Sequence, residues 1–299
     1  MVFSSPVPHM PFYIYGTMSI GREIERIETD IALVHQAIEA GCWLHTARGY
    51  SSMANFNLLG RALRSSSRPA PPVIAKIRCY EPRTLVWDVE DTLQLLGVER
   101  LAIAQLSTNS RKDKKALARD FLAHGPMYEA CQRLHDRGLV GSFVLECFIN
   151  CSHEAIQLLQ RDLIDGVAYR FSVIDREVTN PLNHLLNEAR IATISIRTVG
   201  GGLIFEGPRR RLISEDPDHY YVPRLRDLEP VFERSGCKDW LTFSFAYLAA
   251  HERLRGTIGG TSNPDNLRCF IEAARDVKPL DAQLTAEIEA LQNKWMGEF

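Results

Sequence analysis

The chain has 299 residues, 45% of them hydrophobic and 24% charged, with a formal net charge of −2 at pH 7. A length of this order buries a large core without disulfide or metal staples. Near-neutral charge excludes the basic footprint of a nucleic-acid binder or an anionic-membrane protein, and no run approaches the roughly 18 apolar residues of a membrane span.

Short apolar strands alternate with amphipathic helices along the whole chain. Strands are predicted over 12–15, 42–44, 73–75, 100–105, 141–145, 167–171, 192–196 and 256–258. Helical patterns fall near 28–41, 54–65, 84–97, 126–137, 152–161, 180–188, 238–252 and 264–275. Gly41, Gly97 and Gly138 mark helix stops, where the residue past the last turn takes positive φ. Pro181 and Pro264 fall in first turns, where a missing N–H costs nothing. Such strand–helix units are what a closed (β/α)8 TIM barrel requires, and one domain over 1–299 is expected. A doubly wound sheet would need a glycine fingerprint after the first strand, and none follows Tyr15.

Two insertions break the rhythm. The Lys- and Arg-rich segment 108–124 reads as a solvated connector. Segment 198–237 is long for a connection and is expected to lie as a loop over the pocket. The run 281–295 reads as an added C-terminal helix on the barrel exterior. The seven cysteines are scattered and odd in number, which argues against a disulfide framework and gives no metal-type spacing. No metal site is expected. The opening MVFSSPVPHMPF lacks a basic stretch followed by an apolar core, so the expectation is no signal peptide and a cytoplasmic protein.

Barrel chemistry projects from the carboxyl ends of strands. Those ends carry His45, Arg48 and Tyr50 after strand two, Lys76 in VIAKI and Ser107 in AQLS. Glu146 and Cys147 follow in VLECF, then Tyr169 and Ser172, and Arg197 after strand seven. A lysine ending an apolar strand must find a partner or carry function, because burying an unpaired ammonium is expensive. Tyr50 and Lys76 sit on adjacent units, and a neighbouring cation is expected to depress the phenol's pKa and make it a proton donor or acceptor. His45 titrates near working pH in its ordinary state and suits proton transfer, as does Glu146. Cys147 reads as a buried, inert thiol.

The stretch EAGCWLHTARGYSSMANFNLLGRAL, residues 39–63, resembles the "GxNFxDTAxxYGxxExxLGxAL" signature of aldo-keto reductases. Five further matches follow in order. VIAKI resembles the family's strand-terminal lysine, and DTLQLLGVERLAIAQL its "SLxxLGxDxIDLxxxH". RLHDRGLVGSFVLECF resembles "LKxxGKVRxIGVSNF", TISIRTVGGGLI "YSPLxxGxL", and GTIGGTSNPDNLRCFIEAA "xxIxGxSxxxQLxENxxA". The resemblance covers nearly the whole chain and implies NADP(H)-dependent carbonyl reduction with a tyrosine as acid.

By that resemblance Tyr50 and Lys76 match the family's tyrosine and lysine. His45 stands for the aspartate that holds the lysine, and Ser107 for the histidine. The pair that grips the nicotinamide amide becomes Glu146 and Cys147, and a glutamine with the same task becomes Ala168. Ile196 replaces the stacking aromatic. Cys269 and Phe270 replace the residues near adenine, and Asn266 the arginine at the 2′-phosphate. These losses remove about 3–5 kcal/mol of cofactor binding, from hydrogen bonds at ~1 kcal/mol each and a stack at roughly 0.5–1.5 kcal/mol.

What remains suits an anion. Arg197, Gly200, Gly201 and Gly202 after strand seven, with Gly259, Gly260, Thr261, Ser262 and Asn266 opening the last helix, form a residual phosphate or NADP site. The Arg209–Arg211 run adds charge. Three readings follow. In the first, Tyr50, Lys76, His45 and Glu146 do non-redox acid–base work on a small carbonyl or hydroxylated substrate, touched also by Arg48, Ser107, Cys147 and Tyr169. No cofactor is then expected. In the second, NADPH-dependent carbonyl reduction persists through rearranged contacts. In the third, the chain is a catalytically silent binding subunit. The partner is a small molecule rather than nucleic acid or membrane, and the chain is a monomer or dimer.

Overall fold

The computed structural model describes residues 7–108 and 110–296. The start of the N-terminal segment read for a signal, residues 1–6, lies outside the described residues, as does Asn109 in the first insertion.

Eight parallel strands close into a barrel in sequence order. They are β1 (Tyr13–Gly16), β2 (Trp43–Ala47), β3 (Val73–Arg78), β4 (Leu101–Ser107), β5 (Val140–Glu146), β6 (Gly166–Arg170), β7 (Ala192–Ile196) and β8 (Leu254–Gly259). The helices run α1 (Ile27–Glu39), α2 (Ala54–Ser65), α3 (Pro82–Leu96), α4 (Arg111–Leu122), α5 (Pro126–Asp136) and α6 (Ser152–Leu159). They continue as α7 (Asn180–Glu188), α8 (Glu206–Glu215), α9 (Tyr221–Ser235), α10 (Trp240–Ala249), α11 (Pro264–Arg275) and α12 (Ala282–Met296). The three glycine stops all take positive φ, and the Gly97 N–H closes α3 on the Leu93 carbonyl.

Strand side chains alternate between two cores. Ile14, Ile74, Ile103, Val144, Ala168 and Ile194 fill the barrel interior, closed from below by Val7 and Met10. The other parity, including Leu44, Ala75, Leu106, Leu145, Val167 and Tyr169, packs against the helices. Each fully buried large side chain on that layer contributes about 1.5–3 kcal/mol. This alternation decides which strand-end residue reaches the mouth.

Both insertions differ from their sequence reading. Segment 108–124 holds helix α4, which sinks Leu117, Ala118 and Phe121 into the outer core. Ser110 starts it by accepting from the Asp113 N–H. Its lysines and arginines hid an apolar stripe. Segment 198–237 is not a loop but contains α8 and α9. Tyr221 of α9 donates to Asp175 at 2.6 Å and Arg224 donates to the same carboxylate at 3.1 Å, tying α9 to the loop after β6. The C-terminal helix is present as α12 and packs on α9. No helix among the described residues is long and apolar enough to cross a membrane.

Candidate active site

Above the apolar layers the interior positions turn polar. Lys76 pairs in register with Ala47 and Gln105, and Glu146 with Ala168, so Lys76 and Glu146 both face inward near the carboxyl ends. Barrel curvature brings them together across β4. The Lys76 Nζ donates to Glu146 Oε1 at 2.5 Å. Ser107, at the end of β4, donates to the other oxygen, Glu146 Oε2. The carboxylate the lysine needs therefore comes from β5, while β2 presents His45.

Tyr50 follows β2 in the turn Tyr50–Met53, whose Ser51, Ser52 and Met53 all have positive φ, a strained conformation for residues with side chains. Its hydroxyl faces Lys76. Burial pushes the phenol's pKa up; Lys76 pulls it down by charge and hydrogen bonding, and Glu146 adds a smaller upward push. The net direction is up, contrary to the expected depression, because burial outweighs the cation. Burial alone would lower the pKa of Lys76, but Glu146 and Tyr50 more than offset it and the ammonium is held.

His45 corrects a second expectation. Its ring centroid lies 6.3 Å from that of Tyr50, yet it sits a layer deeper and is only 3% exposed. Burial, then the Lys76 charge, lowers its pKa to about 3 against a weaker pull from Gln105. His45 is thus a neutral imidazole beneath Lys76 and does not titrate near neutral pH.

Three predicted contacts are placed elsewhere. Arg48 lies over the Trp87 ring at 4.3 Å and binds Asp91 and Asp88 of α3, because the chain has already left the barrel mouth. Tyr169 has the wrong parity: Ala168 faces inward, so Tyr169 packs outward beside Phe171, ring centroids 5.4 Å apart. Cys147 is likewise fully buried in the helix-facing core. Sequence reading missed Arg170, which shares the inward parity of Ala168. It donates to Glu177 at 2.7 Å and stands near enough to Lys76 to act on its charge. The signal was the alternation of bulky Val167, Tyr169 and Phe171 with Gly166, Ala168 and Arg170. It also missed Gln105, whose buried amide lies beside His45.

The glycine loops can be tested against a dinucleotide. Gly200, Gly201 and Gly202 all have positive φ, and a side chain at Gly201 would meet the Arg197 guanidinium at 3.1 Å. A side chain at Gly260 would strike the Gly16 carbonyl at 2.5 Å. These are cradles only glycine permits, beside an exposed arginine, and they fit a phosphate. Part of the donor set is internally engaged: the Gly200 and Gly202 N–H groups bond to Arg197 and Val199 carbonyls. Asn263 caps α11, accepting from the N–H groups of Asp265 and Asn266 at 2.8 and 3.0 Å. Thr261 and Ser262 present carbonyls to Tyr15 and Arg26. Arg209 lies over Trp240 at 4.6 Å and Arg210 bridges to Glu206. At the other end Ala168 and Ile196 leave an apolar floor, and Phe270 is buried against Tyr13.

Two cavities flank the mouth. One of about 500 Å³ is walled by Phe148, Asp175, Glu177, Tyr220, Arg224 and Trp295. Another of about 620 Å³ touches Ser51 and Ser52 beside Tyr50. A larger one of about 750 Å³ lies at the opposite, N-terminal face near Trp43 and Ser142, away from the chemistry. No group of three or more His, Cys, Asp or Glu that could hold a metal ion occurs among the described residues.

No curated protein matches the chain. Solved structures match nearly its whole length. An aldo-keto reductase AKR11C1 from Bacillus halodurans, in its holo form, is 19% identical with a TM-score of 0.74, covering 97% of this chain and 95% of that one. The glycerol dehydrogenase AKR11B4 from Gluconobacter oxydans is 16% identical with a TM-score of 0.71, covering 95% and 92%. An aldo-keto reductase from Klebsiella pneumoniae in complex with NADPH is 13% identical with a TM-score of 0.69, covering 95% and 92%. At these identities the likeness shows the fold. The family model "Aldo/keto reductase family" matches residues 14–293, and the chain belongs to that family.

Proposed function

We propose that the chain is a carbonyl reductase in which Tyr50 exchanges a proton with the oxygen of a small carbonyl or hydroxylated substrate. The observation that carries this reading is the Lys76–Glu146 bond at 2.5 Å. The lysine beside the tyrosine has kept a carboxylate partner although the strand-two aspartate is gone. Tyr50, with its pKa raised by burial, is protonated at neutral pH and can act as an acid. Lys76 stabilises the phenolate left behind, Glu146 orients Lys76, and Ser107 holds Glu146. Neutral His45 adds no second positive charge beneath the ammonium.

NADP(H) is the cofactor that family membership and the NADPH-bound relative support. Arg197, Gly201 and Gly260 would hold its phosphates, with Ala168 and Ile196 under the ring. When bound, it supplies hydride to the carbonyl carbon. A second reading, non-redox isomerisation or elimination through the same proton relay, is favoured by one observation. Ala168, Ile196 and outward-facing Cys147 offer no grip on a nicotinamide amide.

Incubating the protein with NADPH and a panel of aldehydes, ketones and hydroxycarbonyls tests both. The reductase reading expects NADPH consumption that disappears in Tyr50→Phe. Tyr50-dependent conversion of a hydroxycarbonyl without NADPH would establish the second reading. Conversion that survives Tyr50→Phe would overturn the site.

A further inference from the structure

One cluster plays no part in the proton relay. The sequence CFINC runs from the end of β5 into α6. Cys147 follows Glu146 directly, its N–H bonding to the Ala168 carbonyl across the barrel seam at 2.8 Å. A turn at Ile149–Cys151 folds the chain back, and the Phe148 N–H donates to the Cys151 sulfur at 3.2 Å. This brings the Cys147 and Cys151 sulfurs to 3.5 Å. Both are fully buried. The residues between them, Phe148, Ile149 and Asn150, form one wall of the 500 Å³ cavity. The dithiol is thus one residue thickness from a space that a small solute can enter.

We propose that Cys147 and Cys151 are a redox modification site, an oxidisable dithiol that a hydroperoxide converts to a disulfide beside Glu146. The Cys151 thiolate attacks the terminal oxygen of the hydroperoxide; the O–O bond breaks, Cys151 becomes a sulfenic acid, and the leaving alkoxide (hydroxide from hydrogen peroxide) is protonated to the alcohol or water. The Cys147 sulfur then attacks that sulfenic sulfur, forming the S–S bond, and the sulfenic oxygen leaves as water. Two thiols are oxidised by two electrons and one hydroperoxide is reduced. A normal S–S bond of about 2.05 Å asks the sulfurs to close by rotation of the turn's side chains.

The surroundings favour Cys151 as the attacking group. The Lys114 ammonium of α4 is buried 4.1 Å from the Phe148 ring centroid and acts on both sulfurs. The hydrogen bond with Cys147 lowers the pKa of Cys151 first; burial and Glu154 oppose this, Lys114 and the Phe148 backbone assist it, and the net direction is down. That same sulfur–sulfur bond, then burial, pushes Cys147 up, and Ser152 and Lys114 weakly oppose it. One sulfur is therefore a nucleophile and its neighbour the resolving thiol. The product would stiffen the turn that carries Phe148 and adjoins Glu146.

The test uses the full chain treated with hydrogen peroxide, then thiol counting under denaturing conditions and peptide mass mapping. The expected result is two thiols fewer than the seven present, a Cys147–Cys151 linked peptide, and full recovery with dithiothreitol. Cys151→Ser should lose the linked peptide and the reversible step. Lys114→Gln, which leaves both cysteines in place, should slow disulfide formation roughly threefold or more near pH 7 by reducing the thiolate fraction. Oxidation confined to the exposed Cys269 or half-exposed Cys237, with no linked peptide, would overturn the proposal; a linked peptide formed equally fast in Lys114→Gln would overturn the part given to Lys114.

Discussion

The two halves of the barrel mouth have diverged differently. On the β2–β5 side the groups proposed to handle the proton are joined: Tyr50, Lys76, Glu146 and Ser107 contact one another in series. On the β6–β8 and α11 side, the positions that the sequence resemblance assigns to a dinucleotide hold the apolar Ala168, Ile196 and Phe270. The contrast teaches that a buried ammonium constrains its surroundings more tightly than a cofactor grip does. An unpaired Lys76 would cost several kcal/mol. Losing one hydrogen bond to a bound cofactor costs only about 1 kcal/mol.

The largest expected effect is on the relay side. Tyr50→Phe should reduce turnover by roughly 10²–10⁴-fold while leaving thermal stability nearly unchanged, as kinetics and a melting curve on the same sample would show. Glu146→Gln should come next, lowering turnover by about 10–100-fold and stability by roughly 2–4 kcal/mol, since it strands a mostly buried ammonium. In that background His45→Asp restores a carboxylate on β2 and should recover about tenfold of the lost rate. No recovery would break the idea that the two strands exchange one role.

His45 provides a pH test on the same side. Its folded pKa of about 3 lies below its unfolded value near 6.5, so the unfolded state takes up a proton first on acidification. Stability is fully present above pH 6.5 and falls as the pH drops towards 3, by roughly 2 kcal/mol at pH 5. His45→Asn should flatten that slope in denaturant titrations between pH 7 and 5. The smallest effect belongs to the cofactor side. Ile196→Tyr should strengthen NADPH binding about two- to tenfold by fluorescence titration, the worth of one aromatic stack. No change would argue that the nicotinamide ring lies elsewhere.

The fold was legible because parallel strands are buried on both faces and read as short apolar runs between amphipathic helices. Helix α4 was not, since its lysines and arginines masked a stripe of only a few buried residues. Helix α9 carries Pro230 in its interior, which reads as a breaker. Within the site, Lys76 and Glu146 were visible as strand-end charges. Their contact was not, because it joins residues 70 apart in sequence through a barrel curvature that no local pattern encodes. Tyr169 was preferred to Arg170 on chemical type, where strand parity should have decided.

The most direct measurement is an NMR titration of the Lys76 side-chain nitrogen in the wild-type protein and in Glu146→Gln. With Glu146 in place the pKa should lie above the ordinary lysine value of about 10.4, and without it burial should carry the pKa below that value. Identical titrations in the two proteins would contradict a relay built on the β5 carboxylate.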